Sequence, residues 1–386
     1  MTQPLRIGVN GLFLSPNGGG IWTYFSHLMR ELPQVDPEIA YVLFANYRIA
    51  GKIDPTRTGV RNVSERRVTE SGSLQAARLA SAFLRLPLET RSAHLALLWS
   101  PTPFAPVRWG CASVVTLHDM RHEDLKDSTI TSERVLLPAL ARRAARSATH
   151  ILTVSEDAKR RIEGVYGVSP ERITVAHLAS SPHYFTRVSD TEIARVRARY
   201  GIHTPYILSA ATSHPHKNAA VLLDAFAALQ GMSETDTTLV LFGSWEITGA
   251  SLQNAIRTRG MDKRVILTGY VPDDDLPALY QGAEVFVLPS RYEGFGLPVL
   301  EAMASGTPVI TTTATSLPEV AGDAALLFNP DDRAALVASL RHILENAILR
   351  AELIARGEAR ARHFTWRKSA ETTLAAFRQA IATQAR

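Results

Sequence analysis

Short apolar runs bounded by turn residues alternate along this chain with longer amphipathic stretches, the pattern of parallel strands joined by crossover helices. In the first half, residues 5–11, 41–45, 95–100, 113–117, 150–154 and 172–176 read as strands. In the second, residues 205–210, 238–243, 264–268, 283–288 and 308–311 do so. A helix follows the glycines Gly18, Gly19 and Gly20; residues 74–98 carry a helical pattern broken at Pro87; and Ser155 caps a helix beginning SEDAKRR. The spacing predicts further helices over 218–229, 251–259, 274–281 and 298–304, two within 331–361, and a terminal one over 366–382. Residues 50–75 are polar and aperiodic, a surface loop with one short strand. Residues 177–204 lack a strand pattern, with Ser180, Ser181 and Pro182 marking a break. The fold class is therefore α/β, with two Rossmann-like domains over 1–185 and 186–365 and a helix over 366–386 that returns to the first.

Composition agrees with this division. The chain has 386 residues, 46% hydrophobic and 20% charged, and no run approaches the roughly 18 uncharged apolar residues of a spanning helix. The opening MTQPLRIGVNG has no signal-peptide pattern, and the single cysteine, Cys111, excludes an internal disulfide and a cysteine-rich zinc site. Both point to the cytoplasm. A net charge of +5 is modest. Arginines at Arg66, Arg67, Arg142, Arg143 and Arg146 offer a contact for an anionic membrane surface, solvated helix faces being the alternative. Nucleic acid is not expected as a partner, because no aromatic-interleaved basic strand or helix-turn-helix pattern accompanies the charges.

The candidate chemistry gathers on SRYEGFGLPVLEAMASG, residues 290–306. A buried strand, a glycine turn and a helix with Pro298 at its start follow one another, an order that directs helix-terminal amides at an anion beyond the strand. Glu301 falls in the first turn of that helix on this reading, where dipole complementarity alone explains it; Glu293 has no such explanation. Two carboxylates flanking a phosphate-binding turn suit a ligand with a sugar at each end, as in nucleoside-diphosphate sugars. Lys217 lies at a helix start, where a cation is unfavourable unless an anion such as phosphate compensates it, or solvent screens it. His118-Asp119 ends a strand, where His118 can meet a substrate hydroxyl or be satisfied by a neighbouring loop. The turn at Gly19 and Gly20 permits phosphate approach or is simply flexible, since it lacks the spacing of a dinucleotide fingerprint or a P-loop. Asp273, Asp274 and Asp275 read as a helix cap, and no second carboxylate cluster suggests a metal.

EGFGLPVLEAMASGTPVI, preceded by AEVFVLPS and followed by SLPEVAGDAALLFNP, resembles the donor-site signature of the family-4 retaining glycosyltransferases of GT-B architecture. The likeness extends to IGVNG with its GGG turn, to the His-Asp pair and to the terminal helix, and is greatest to bacterial mannosyltransferases of O-antigen and surface-polysaccharide synthesis. It implies two Rossmann-like domains facing across a cleft, the first binding the acceptor and the second the nucleotide-sugar donor. It implies Glu301 on the ribose, Lys217 on the diphosphate, Glu293 on donor-sugar hydroxyls, and the amides of Gly294, Phe295, Gly296 and Leu297 on sugar and phosphate. His118 would reach the donor sugar, and the loop at Gly19 and Gly20 would close over the phosphates. Glu293, His118 and Lys217 are then the catalytic candidates, with Asp119, His216 and Arg291 in supporting places. Retaining transfer of a hexose, mannose or rhamnose from a GDP donor, to a saccharide or lipid-linked saccharide is implied, with no metal and no cofactor. Many members carry an arginine near the lysine where Ala211 and His216 stand here, which leaves Lys217 as the only side-chain cation on the diphosphate from this segment unless His216 is protonated or Arg291 substitutes. A nucleotide-sugar epimerase and a non-catalytic nucleotide-sugar or glycan-binding protein are the alternatives.

Overall fold

The computed structural model describes residues 5–16, 18–53, 62–68, 85–105, 110–124, 131–210, 214–232, 236–243 and 249–385. The chain forms two compact units, Met1–Leu178 with Thr365–Arg386, and Ala179–Phe364.

The first unit is built on seven strands, β1 (Arg6–Gly11), β2 (Ala40–Ala45), β3 (Val63–Arg67), β4 (Leu97–Ser100), β5 (Ala112–Thr116), β6 (His150–Thr153) and β7 (Ile173–Val175). They pair in parallel in the order β3-β2-β1-β4-β5-β6-β7. Every residue of β4 and β6 is buried, as expected of a parallel sheet covered on both faces. Its helices are α1 (Gly20–Val35), α2 (Leu86–Ser92), α3 (Arg121–Asp124), α4 (Thr131–Ser147) and α5 (Glu156–Tyr166). Ser155 caps α5 as expected, accepting from the Ala158 N–H. Pro87 lies in the first turn of α2, where a missing N–H leaves no bond unmade; residues 74–84 of the predicted helix lie outside the described residues, and its far end gives way to β4 at Leu97.

The second unit holds β8 (Tyr206–Ala210), β9 (Thr238–Phe242), β10 (Val265–Gly269), β11 (Val285–Leu288), β12 (Val309–Thr312) and β13 (Ala325–Phe328), parallel in the order β10-β9-β8-β11-β12-β13. Around them lie α6 (Asp190–Arg199), α7 (Ala219–Met232), α8 (Gly249–Thr258), α9 (Leu276–Gln281), α10 (Leu297–Ala304), α11 (Leu317–Ala321), α12 (Arg333–Glu345) and α13 (Ala347–Arg362). The final helix, α14 (Trp366–Gln384), belongs to the first unit. There Trp366 stacks on His27 with ring centroids 4.6 Å apart, Phe377 packs on Trp99, and Arg378 pairs with Asp36.

Three elements of the second unit lie outside the predicted ones: α6, α11 and the edge strand β13. Of α6 only Val196 is buried; Ser189 caps its start, accepting from the Glu192 N–H, and charge ties it to α9. Asp275, 2% exposed, accepts from Arg195 at 2.7 Å, Arg199 at 2.8 Å and the Tyr200 hydroxyl at 3.0 Å. Asp275 stands at the N-cap position of α9, but its side chain bonds no helix amide and instead ties α6 to α9. The break between units also falls earlier than 185/186, because Tyr184 is buried and packs edge-on against Tyr280 of α9.

Burial alone would raise the Asp275 carboxyl, but the bonds from Arg195 and Tyr200 and the charges of Arg199 and Arg195 prevail and hold it below the usual aspartate range. Its stabilising contribution is therefore present above the unfolded value and lost as pH falls through the lower folded one. Asp275→Ala is expected to lower the urea midpoint at pH 7 by the equivalent of roughly 2 kcal/mol, since hydrogen bonds to a charged group are lost. That deficit should shrink below the ordinary aspartate pKa. A variant with the parent's midpoint would contradict the tie.

Candidate active site

In a doubly wound sheet the loops splay apart where the strand order reverses, which opens a crevice at the strands' carboxyl ends. In the second unit that point lies between β8 and β11. The loop after β8 brings His216 and Lys217, and the loop after β11 brings residues 289–296. Gly296 takes φ +103° as the residue before α10, a backbone that calls for glycine, and a Cβ there would also press within 2.7 Å of Leu317 Cδ2. No side chain caps α10, and Pro298 in its first turn has no N–H to cap. Phe295 and Leu297 are buried, which leaves this turn its backbone to offer a ligand.

At the mouth of the turn, Glu293 Oε1 accepts from Lys217 Nζ at 2.7 Å and from Ser290 Oγ at 2.6 Å. The side chains are 12% and 19% exposed for Glu293 and Lys217, so the pair is largely withdrawn from water. Sequence reasoning gave Lys217 a phosphate or solvent as its counter-charge; in this structure the counter-charge is Glu293. Lys217 ends a short 3-10 turn, Pro215–Lys217, and Asn218 follows it with a left-handed backbone. Asn218 donates to the carbonyls of Pro289 at 3.1 Å and Pro330 at 2.7 Å, binding the two loops together.

Glu301 lies beyond the first turn of α10, which contains no acidic residue, so the helix dipole does not account for it. Tyr280, fully buried among Tyr184, Phe242 and Phe286, donates its hydroxyl to Glu301 Oε2 at 3.0 Å. Burial pushes the Glu301 carboxyl up to about 7, against the Tyr280 bond and with the charge of Asp273 adding to the rise. Arg291 bonds Asn218 Oδ1 at 2.6 Å and pairs with Asp331. His216 is buried, stacks on His214, and accepts the Arg291 N–H at its carbonyl. Ala211 lies outside the described residues.

The other predicted residues belong to the first unit, whose own reversal lies between β1 and β4. Gly19 has φ +57° before α1, with open space where a Cβ would stand, and Gly20 begins the helix, exposed. The buried Asn46 side chain bonds the carbonyls of Gly11, Leu12 and Leu14 and shapes the loop leading there. His118 follows β5, its Nε2 3.0 Å from the Pro101 carbonyl and its ring edge-on to Tyr24 of α1 at 4.8 Å. Burial lowers its pKa against the opposing effects of that carbonyl and of Asp119. A carbonyl only accepts, so Nε2 carries the proton and Nδ1 is left as an acceptor. Asp119 accepts from the Arg121 N–H and so begins α3.

Sequence reasoning missed the hydroxyls behind the turn. Thr312 Oγ1 donates to the Ser290 carbonyl, Thr315 Oγ1 accepts from the Glu293 N–H, and Ser316 Oγ donates to the carbonyls of Glu293 and Phe295. The hydroxyl-rich TTTATS, residues 311–316, running from the end of β12 into the following loop, is the available signal.

Two family descriptions match successive stretches of the chain, Glycosyltransferase Family 4 over residues 18–179 and Glycosyl transferases group 1 over residues 193–360. O-antigen chain mannosyltransferase B of Escherichia coli is 38% identical over 235 residues, 60% of this chain and 61% of that protein. The serotype-specific mannosyltransferase WbdA of Escherichia coli is 30% identical over 236 residues, 59% of this chain and 28% of that protein. The match thus spans less than two thirds of the length of either relative. O-antigen chain mannosyltransferase RfbU of Salmonella typhimurium is 28% identical over 354 residues, covering 89% of this chain and 92% of that protein. Among solved structures, sucrose-phosphate synthase from Thermosynechococcus elongatus aligns with a TM-score of 0.76 at 17% identity over 98% of this chain and 99% of that one. Anabaena Alr3699/HepE in complex with UDP and glucose aligns at 0.73 and 20% identity over 96% and 99%. Identities this low establish the fold, two parallel α/β sheets of GT-B type.

The raised Glu301 carboxyl has a measurable consequence. Its contribution to stability is complete below the unfolded value of 4.5 and is lost as pH rises through about 7. Glu301→Gln should therefore stabilise the protein by about 3 kcal/mol at pH 8 and by less than about 1 kcal/mol at pH 5, read from urea midpoints. Equal effects at the two pH values would contradict the assignment.

Proposed function

The chain belongs to the glycosyltransferases of group 1 and family 4, and on that premise we propose that it transfers a mannosyl or related hexosyl unit from a GDP-linked donor to a saccharide acceptor in surface-polysaccharide synthesis. The mannosyltransferase names of its relatives support the sugar and the setting. The observation that carries the reading is the Lys217–Glu293 pair at the reversal point of the second sheet, beside the uncapped start of α10.

The residues divide the work as follows. Lys217 and the α10 amides face the diphosphate and stabilise the charge it gains as the glycosidic bond breaks, where electrostatic catalysis is most effective. When Lys217 turns to phosphate, Glu293 is released to accept hydrogen bonds from sugar hydroxyls, with Ser290 still steadying one oxygen. Glu301, ionised above neutrality, accepts from the ribose hydroxyls while Tyr280 holds its other oxygen. In the first unit, neutral His118 keeps Nδ1 as an acceptor for a hydroxyl. Since Lys217 and the amides supply the positive charge, the transfer needs no metal, and we take it to retain anomeric configuration.

The acceptor is a saccharide carried on a lipid, and the site of action is the cytoplasmic face of the membrane, which the protein reaches peripherally. No helix among the described residues is long and apolar enough to cross a membrane. Of the basic stretches, Arg66 and Arg142 pair with Glu89 and Glu123, while Arg67 and Arg143 lie exposed and support contact with anionic lipid.

With GDP-mannose as donor and product followed by mass spectrometry, Lys217→Ala and Glu293→Ala are each expected to lower kcat by roughly 100-fold or more, the loss typical of removing a transition-state charge contact. If both variants stay within a few-fold of the parent, the site assignment is wrong.

A further inference from the structure

Among the described residues, three that are not glycine adopt a left-handed backbone: His94, Asn218 and Thr315. Two of the three adjoin the Lys217–Glu293 pair. Asn218 follows Lys217 directly, and asparagine tolerates this region through its short polar side chain. Thr315, at φ +48°, is a different matter, because a β-branched residue there is strained and the position favours glycine or asparagine.

What the strained backbone achieves is visible in its bonds. Thr315 Oγ1 lies 3.0 Å from the Glu293 N–H and accepts from it. The next residue, the fully buried Ser316, donates from Oγ to the Glu293 carbonyl at 3.0 Å and to the Phe295 carbonyl at 2.9 Å. Thr312 donates to the Ser290 carbonyl at 2.6 Å. Residue 293 is thus gripped at both ends of its main chain by consecutive side chains of one loop, while its carboxylate is gripped by Lys217 and Ser290. Glycine at 315 would adopt the backbone without strain but would leave the Glu293 N–H without this acceptor. Strain retained in exchange for one aimed hydroxyl is a feature of functional loops rather than of ordinary turns.

We propose that Thr315 is a positioning residue for Glu293: its left-handed backbone directs Oγ1 onto the Glu293 N–H and fixes the direction in which the carboxylate meets the donor sugar. The inference rests on the transferase reading above and adds a residue to it. Thr315 touches no substrate in this account. It acts on kcat through the aim of Glu293, because a small misplacement of a group that contacts the reacting sugar weakens transition-state contacts more than ground-state binding.

The test compares Thr315→Gly, Thr315→Ala and Thr315→Ser in the full chain, with GDP-mannose as donor and thermal melting alongside. The Gly and Ala variants are expected to lose about 10–100-fold in kcat with the donor KM within about threefold of the parent. Thr315→Ser, which keeps the hydroxyl, is expected to restore kcat to within about threefold. The Gly variant should melt cooperatively at or near the parent's midpoint, since strain relief offsets the lost bond, so activity and stability separate. The proposal is overturned if the Gly variant transfers as the parent does, if Ser loses as much as Gly, or if activity only follows a falling melting midpoint. A Gly variant with no cooperative melt assigns Thr315 to folding and overturns it too. A parent that neither binds nor transfers from GDP-mannose instead removes the transferase reading on which the proposal stands.

Discussion

The ion pair between Lys217 and Glu293 is the constraint around which the second unit is arranged. A lysine and a glutamate withdrawn this far from water are tolerable only while each has a partner, because an unpaired charge there carries the full desolvation penalty. Strand order supplies the meeting place: β8 and β11 are neighbours whose following loops diverge, so residues far apart in sequence arrive at one crevice. Much of the surrounding bonding exists to keep those loops in register. Asn218 bonds Pro289 and Pro330, Arg291 bonds Asn218 and Asp331, and the hydroxyls of Thr312, Thr315 and Ser316 hold the main chain from Ser290 to Phe295. None of these is a reactive group. Together they decide where the reactive ones point.

The same unit holds a second charge that folding alone would not select. Glu301 has no basic side chain among the groups that shift it; burial and Asp273 both oppose its ionisation, and only the Tyr280 hydroxyl favours it. A glutamine, which keeps an acceptor for Tyr280, would suit the fold better. On the proposed reading the vicinal hydroxyls of the donor satisfy it, and stability and binding then pull in opposite directions at this position. Thr315 shows the same conflict in backbone form. Lys217 and Glu293 escape it by satisfying each other.

How much of this the sequence disclosed follows from the range of each interaction. The strand runs and the strand–glycine turn–helix order at residues 283–304 depend on neighbours in the chain, and they are legible. Gly296 is readable for the same reason, since a turn into a helix demands it. Glu301 was misjudged because placing it in the first turn needs the helix boundary to within a residue, and because Tyr280 reaches it only through the packing of α9 against α10. The Lys217–Glu293 pair joins positions 76 residues apart, which no local pattern reveals. Helix α6 goes unpredicted although SDTE at 189–192 has the capping-box pattern, because it buries one residue and depends on the distant Asp275 for its tie to α9. Thr315 escaped because threonine carries no turn signal: its conformation is imposed by the surrounding bonds.

The central claim is that Lys217 exchanges Glu293 for the donor diphosphate, and calorimetric titration of GDP into the parent and into Glu293→Ala tests it most directly. GDP has the diphosphate without the sugar. If binding must first part Lys217 from Glu293, removing the carboxylate removes that step, and Glu293→Ala should bind GDP about three- to tenfold more tightly than the parent while losing the parent's preference for GDP-mannose over GDP. Unchanged or weaker GDP binding in Glu293→Ala would contradict the exchange.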